Sequence, residues 1–243
     1  MRIAFDLDGV LADLHEPFVR EAIKLFPELD AAKIGAADIG ASPDDETHKK
    51  GEDQIGLPAA ASVAVSQRQS DAVWKSVAAT DNFWETLKEC EPGAIARLFK
   101  LSEERKWEVL FITSRPKSAG RTVQRQSQRW LHRQGFELPS VYVVHGSRGR
   151  VAAALRLDVV IDDRPDNCLD VVLESKAGAI LVWRGPQGSV PSSAKRLGIA
   201  VVSSVAECLD ALAEADRGTE PGLLDRLRRA FGLRTKAAAP FLR

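Results

Sequence analysis

The 243-residue sequence predicts an α/β fold built on a doubly wound parallel sheet. Six short runs are apolar throughout rather than alternating with polar residues, which is typical of strands buried on both faces. Helical patterns lie between them, at residues 93–104, 122–134, 151–155 and 205–213, and such alternation favours a parallel sheet. The predicted strands are residues 3–5, 109–113, 141–144, 158–161, 180–183 and 200–202.

The composition limits the classes of function. The 34 basic Lys and Arg residues balance 34 acidic ones, so no global field attracts a nucleic-acid polymer or an anionic membrane surface. We find no apolar run of membrane-spanning length and no signal peptide. The three cysteines lack metal-ligand spacing, which predicts reduced thiols that fill the core. We therefore expect a cytoplasmic protein without a nucleic-acid polymer as partner; its oligomeric state is not predicted.

The connection between the first two predicted strands is unusually long. It spans about a hundred residues, several times the usual length of a crossover. Amphipathic stretches at 17–26 and 71–77, together with Trp74, Phe83 and Trp84, indicate a small helical module rather than a disordered loop. We therefore expect a discontinuous core, residues 1–12 and 93–215, and an inserted cap at residues 13–92.

The composition changes again after Asp216. A linker-like segment, DRGTEPG, precedes a basic amphipathic pattern at residues 223–234. We assign residues 216–243 to a linker and a C-terminal amphipathic helix. Docking of this helix on the core is favoured, and binding to a membrane surface or a partner stays open.

Acidic and hydroxyl side chains follow three of the predicted strands. The carboxyl ends of parallel strands meet at one edge of the sheet, where ligands of open α/β folds bind. Carboxylates two apart on a strand share a face and repel each other unless a cation lies between them. Oxygen ligands suit Mg²⁺, and the whole set suits metal-assisted phosphoryl transfer. The residues are Asp6, Asp8, Thr113, Ser114, Asp162 and Asp163.

Three segments resemble signatures of the haloacid dehalogenase-like (HAD) hydrolases. The segment DLDGVLAD at residues 6–13 is similar to their first signature, and VLFITSR at 109–115 is similar to their second. The segment LDVVIDDRPDN at 157–167 resembles their acidic fourth signature. The segment at 82–101, NFWETLKECEPGAIARLFKL, is similar to the deoxyribonucleotidase branch, the type C 5'-nucleotidases.

The resemblance implies a Mg²⁺-dependent phosphatase that acts on a small phosphorylated metabolite, with a nucleotide as one option. Asp6 would be the nucleophile and Asp8 the general acid and base. Thr113, followed by Ser114, would contact the phosphate. Metal ligands would be Asp6, the backbone carbonyl of Asp8, and Asp163. Asp162 would be a second acidic ligand or an outer group, and the inserted module would be the family's cap.

The sequence departs from the family at the third signature, a lysine near the phosphate. The only lysine between the second and fourth signatures is Lys117, which lies too close to the second. We expect Arg148 or Arg150, where a helix opens after the third strand, to bind phosphate instead, as a planar fork rather than a point charge.

Two alternatives to a phosphatase stay open. The missing lysine also fits a catalytically weak or inactive HAD-like protein that binds a partner. A dehalogenase would use Asp6 to attack carbon, but carbon–halogen displacement needs neither a metal nor a leaving-group acid.

Overall fold

The computed structural model describes residues 1–35, 39 and 64–217. The helix predicted at residues 223–234 lies outside the described residues. Within them, no helix is both long and apolar enough to cross a bilayer.

Six parallel strands form the central sheet, which confirms the predicted fold class. They line up in the order β5-β4-β1-β6-β7-β8, and β2 and β3 form a separate antiparallel pair. Each predicted run falls on a strand, with ends that differ by at most two residues. The strands are β1 (Arg2–Asp6), β2 (Ala12–Asp13), β3 (Lys88–Glu89), β4 (Glu108–Thr113), β5 (Ser140–Val143), β6 (Val159–Asp162), β7 (Gly178–Val182) and β8 (Ala200–Val202).

The strand order reverses direction between β1 and β6. The chain first builds outward from β1 through β4 to β5, then returns to the other side of β1 and continues through β6, β7 and β8. Phe5 pairs with Ile161 across this junction. Asp6 and Asp162 each come one residue later. The switch point of the sheet, where α/β proteins place their ligands, is thus flanked by two carboxyl groups.

Eight α-helices accompany these strands in the described part of the chain. Two of them, α6 and α7, are absent from our predictions. Proline is well suited to the first turn of a helix, and Pro165 begins α6. The helices are α1 (His15–Leu25), α2 (Gln67–Ala79), α3 (Ala94–Arg105), α4 (Val123–Arg133), α5 (Arg148–Leu155), α6 (Pro165–Glu174), α7 (Ser192–Arg196) and α8 (Val205–Arg217).

Helices cover both faces of the sheet. Ile3 and Phe5 of β1 belong to one apolar cluster, which also includes residues from α3, α4 and α8. Ala4, between them, belongs to a second cluster with residues from α5, α6 and α7. All three are fully buried. Burial on both faces explains why the strand sequences are continuously apolar.

The long connection after β1 contains two helices that pack on each other. The rings of Phe18 in α1 and Trp74 in α2 meet edge to face with their centroids 5.7 Å apart. The chain enters this segment through β2 and leaves it through β3, which pair with each other. The cap boundaries at residues 13 and 92 stay a prediction, because residues 36–38 and 40–63 are outside the described part.

The three cysteines carry free thiols. Cys168 and Cys208 are fully buried, and Cys90 is half-buried. Burial raises the pKa of Cys90 to about 12, so its thiol stays protonated and unreactive at neutral pH.

Gly149 of α5 lies directly against α6. A Cβ atom there would lie 2.1 Å from the backbone oxygen of Asp170. We expect Gly149→Ala to force the helices apart and to lower the free energy of unfolding by about 1–3 kcal/mol. Urea denaturation measures this change. Gly188→Ala is the control, because nothing lies within 4 Å of its Cβ position; equal stability of the two variants would contradict the expectation.

Glu91 joins the chain leaving β3 to the start of α8. Its carboxylate accepts hydrogen bonds from the backbone N–H groups of Val205 (2.8 Å) and Ala206 (3.0 Å). It also pairs with Arg184 at 2.7 Å. Burial alone would raise the pKa of Glu91, but these hydrogen bonds outweigh it and hold the pKa below the usual 4.5.

The lowered pKa of Glu91 predicts a pH-dependent contribution to stability. Because the folded pKa lies below the unfolded one, the contribution is complete above the unfolded value and is lost as the pH falls through the folded value. We expect wild type to exceed Glu91→Gln in unfolding free energy at neutral pH, and the gap to close as the pH falls through the lowered folded pKa of Glu91. Glu214→Gln, on the exposed face of α8, is the control and should show no gap. A gap for Glu91→Gln that persists in acid would contradict this account.

Candidate active site

Asp6 ends β1 as a buried carboxyl group. It is 8% exposed, and its Oδ1 accepts a hydrogen bond of 3.0 Å from Nη2 of Arg148. Burial raises the pKa of Asp6 well above its usual value, the neighbouring charge of Asp162 raises it further, and Arg148 opposes both effects. The position therefore favours a positive group beside the carboxylate.

Arg148 supplies a positive group at this position. It is the first residue of α5 and 3% exposed, and Ser147 caps the helix by accepting the N–H groups of Gly149 and Arg150. Nε of Arg148 lies 3.7 Å from Oδ2 of Asp162. Within the described residues, this Nε is a buried side-chain nitrogen that has no hydrogen-bond partner. A buried N–H without a partner is costly, and a bound anion would satisfy it.

Arg150 does not join this cluster. Its side chain is 83% exposed and lies 3.8 Å from Glu174. Residues two apart on a helix face different sides. Because α5 begins at Arg148, that side chain turns toward Asp6 while Arg150 turns to solvent. Of the two arginines that the sequence offers for phosphate, Arg148 lies beside Asp6 and Arg150 lies in solvent.

Asp162, which ends β6, and Asp163, which follows it, have different surroundings. Asp162 is fully buried, and its oxygens accept hydrogen bonds from Asn167 Nδ2 (3.1 and 3.0 Å) and from the N–H of Arg164 (2.9 Å). Groups at the start of α6 thus use the hydrogen-bonding capacity of the Asp162 carboxylate. Burial and then the charge of Asp162 raise the pKa of Asp163 to about 7.

Gly9 lies directly against Asp163. Its φ is +82°, in the left-handed region that favours glycine. A Cβ atom at this position would lie 2.0 Å from Oδ2 of Asp163. The turn is closed by the N–H of Leu11, which donates to the carbonyl of Leu7 at 2.8 Å. A glycine therefore lets the acidic pair approach the loop that follows Asp6.

Asp8 is held by an arginine that our predicted site did not include. Nε of Arg115 lies 2.8 and 3.1 Å from the two carboxyl oxygens of Asp8, and Nη2 lies 2.8 Å from Oδ1. Arg115 is 2% exposed. The only sequence signal was its place at the end of the second signature.

Thr113 and Ser114 lie at the adjacent strand end. Thr113 closes β4, is 1% exposed, and accepts the N–H of Arg115 through Oγ1 at 3.2 Å. Its hydroxyl proton stays available for an anion. Ser114 follows as a half-buried residue.

A second arginine missed by the sequence analysis holds the loop after Asp6. Arg184 donates to the backbone oxygens of Gly9 and Val10, the latter at 3.1 Å, while pairing with Glu91. No motif could reveal these contacts, because the partners lie 174 and 93 positions apart.

The donor set fits an open magnesium site rather than a closed cage. Across residues 1–35, 39 and 64–217, no three His, Cys, Asp or Glu side chains group so as to hold a metal. Mg²⁺, however, needs only one or two carboxylates and keeps several waters. Asp6 and Asp163, with the carbonyl of Asp8, offer oxygens alone. The repulsion that raises the pKa of Asp6 is also what a cation would relieve.

Comparison with known proteins yields matches in structure only. No family model matches the sequence, and the search of curated proteins found no match. A HAD-family hydrolase from Deinococcus radiodurans R1, with bound phosphate and sodium, superposes with a TM-score of 0.55 at 19% identity, covering 88% of this chain and 95% of its own.

Two further structures superpose over similar lengths. A candidate phosphoglycolate phosphatase from Lactobacillus delbrueckii gives a TM-score of 0.53 at 14% identity, covering 86% of this chain and 97% of its own. A candidate β-phosphoglucomutase from Thermotoga maritima gives 0.51 at 19%, covering 88% and 98%. The chain therefore has the fold of the HAD hydrolases. The deoxyribonucleotidase branch stays a prediction.

The two arginines of α5 make a matched pair for a stability test. We expect Arg148→Gln to lower the free energy of unfolding by about 1–3 kcal/mol, because it leaves Asp6 and Asp162 buried without their cation. Arg150→Gln should change it by less than about 0.5 kcal/mol, as usual for surface residues. Chemical denaturation of both variants at neutral pH measures the difference. Equal effects would show that Arg148 is not the counter-charge of this cluster.

Proposed function

We propose that the chain is a Mg²⁺-dependent phosphomonoester hydrolase that forms an aspartyl-phosphate on Asp6. The observation that carries the proposal is the 3.0 Å contact between Arg148 and buried Asp6 at the switch point of the sheet. Asp8 lies two residues further on. The fold, shared with a phosphate-bound HAD hydrolase and a candidate phosphatase, supports the same conclusion.

In the first half of the reaction Asp6 attacks phosphorus. An oxygen–phosphorus bond forms to Asp6 as the bond to the leaving group breaks. The leaving oxygen keeps that electron pair and takes a proton from Asp8, so that an alcohol departs. Arg148, the hydroxyl of Thr113 and the adjacent Ser114 hold the phosphoryl oxygens and stabilise their charge.

In the second half a water molecule attacks the phosphoryl-aspartate. A new oxygen–phosphorus bond forms, and the bond to Asp6 breaks. Asp8, now a carboxylate, takes the proton of the water. Inorganic phosphate leaves, and both aspartates return to their starting forms.

Asp6, Asp163 and the backbone carbonyl of Asp8 would hold Mg²⁺. When bound, the ion neutralises phosphate charge and makes phosphorus more electrophilic. Asp162, which is occupied by Asn167 and the backbone of Arg164, keeps the start of α6 in place behind these ligands.

The substrate class follows from the same chemistry. A phosphomonoester presents the dianionic group that Arg148 and the cation can hold. We propose a small phosphorylated metabolite and a cytoplasmic location. The lysine missing from the third signature no longer favours an inactive partner protein, because Arg148 already lies within hydrogen-bond distance of Asp6. No feature of the site favours a dehalogenase.

Hydrolysis of p-nitrophenyl phosphate by the purified chain tests the proposal. We expect turnover with Mg²⁺, its loss with EDTA, and a fall in kcat of about 10³-fold or more in Asp6→Asn, which lacks the nucleophile. Asp166→Asn, an exposed acid-to-amide change on α6, should keep full activity. Turnover that survives both EDTA and Asp6→Asn would overturn the proposal.

A further inference from the structure

Every nitrogen of the Arg115 guanidinium donates a hydrogen bond. Nε and Nη2 form a fork on the two oxygens of Asp8. Nη1 donates to Oγ of Ser127 at 2.9 Å. The side chain has no exposed surface. Such a planar fork fixes the plane of a carboxyl group as well as its position, which the point charge of a lysine does not.

Two indole rings hold the same guanidinium. Its Cζ lies 4.8 Å from the ring centroid of Trp84 and 5.6 Å from that of Trp130. Both rings are fully buried. Trp84 Nε1 donates to the carbonyl of Pro116 at 3.0 Å, and Trp130 Nε1 to that of Leu87 at 2.7 Å. Arg115 is therefore kept in one orientation by groups that are themselves fixed.

The two rings come from different parts of the chain. Trp84 belongs to the short 3-10 turn Phe83–Glu85, where the chain returns from the long connection after β1. Trp130 belongs to α4, which follows β4 and precedes β5 in the chain. The orientation of Asp8 thus depends on how the returning segment packs on the sheet domain.

A general acid must point at the atom it protonates, because proton transfer requires a short and aligned contact. Asp8 is partly exposed, at 19% of its side chain, so without a restraint its carboxyl group would sample several rotamers. The fork from Arg115 removes that freedom at the residue that has to meet the leaving oxygen.

We infer that Arg115 is a positioning residue that aligns the Asp8 carboxyl with the leaving oxygen of the substrate, and that Trp84 and Trp130 fix Arg115 for this task. The inference rests on the proposed hydrolase function. It predicts a defect confined to leaving groups that need a proton.

Two aryl phosphates of nearly equal size separate alignment from general structural damage. p-Nitrophenolate is a weakly basic leaving group and departs without a proton, whereas the more basic phenolate of phenyl phosphate depends on the acid. In Arg115→Lys we expect kcat for phenyl phosphate to fall about 100-fold and kcat for p-nitrophenyl phosphate less than about 10-fold, with KM little changed. Asp8→Asn should show the same selectivity and sets its scale.

Other variants address folding and specificity. Ser127→Ala removes one partner of Arg115 and should give a weaker defect of the same pattern, even if Arg115→Lys fails to fold. Trp84→Phe keeps an aromatic ring and should retain more phenyl phosphate turnover than Trp84→Leu. Arg125→Lys, at an exposed position of α4, is the control and should leave both rates unchanged.

The outcomes are distinguishable. Equal losses on both substrates in Arg115→Lys and Ser127→Ala, or no loss on either, would overturn the positioning role while the hydrolase stands. A wild-type protein that hydrolyses neither substrate with Mg²⁺ would overturn the proposed function, and the inference with it.

Discussion

The burial of neighbouring carboxyl groups at the switch point is the constraint on which the arrangement of the site depends. Asp6 and Asp162 end neighbouring strands, and Asp163 follows at once. Burial raises the pKa of each, and the charge of Asp162 raises the pKa of Asp6 and of Asp163 further. Each of the first two groups has a partner contributed by the helix that follows a strand. Arg148 opens α5 beside Asp6, and Asn167 in α6 holds Asp162. Polar side chains near the starts of helices thus hold the carboxyl groups at the strand ends.

The sheet was predictable because its signal is local. Strands buried on both faces are apolar at every position, and each such run can be recognised without knowing its neighbours. The convergence of the acidic residues then follows from parallel pairing. The choice between Arg148 and Arg150 was not predictable, because it depends on the residue at which α5 begins. The apolar pattern at 151–155 does not define that start.

The contacts of Arg115 and Arg184 could not be predicted from the sequence for a different reason. Their partners are 107 and 174 positions away, and each contact requires a loop whose path is set by packing rather than by local pattern. The aromatic rings around Arg115 looked like ordinary core residues. Only their placement on both sides of one guanidinium distinguishes them, and that placement combines residues from the long connection with residues of α4.

The loop after Asp6 is restrained from two directions. Asp163 fills the space beside Gly9. Arg184, in the loop after β7, holds the carbonyls of Gly9 and Val10, while Glu91 ties the same arginine to α8. The identity of the cation beside Asp6 carries one more consequence. A lysine there would lose its proton in strongly alkaline solution, whereas a guanidinium stays protonated in proteins. The charge facing Asp6 is therefore permanent, and alkaline conditions cannot switch off this contact for as long as the chain is folded.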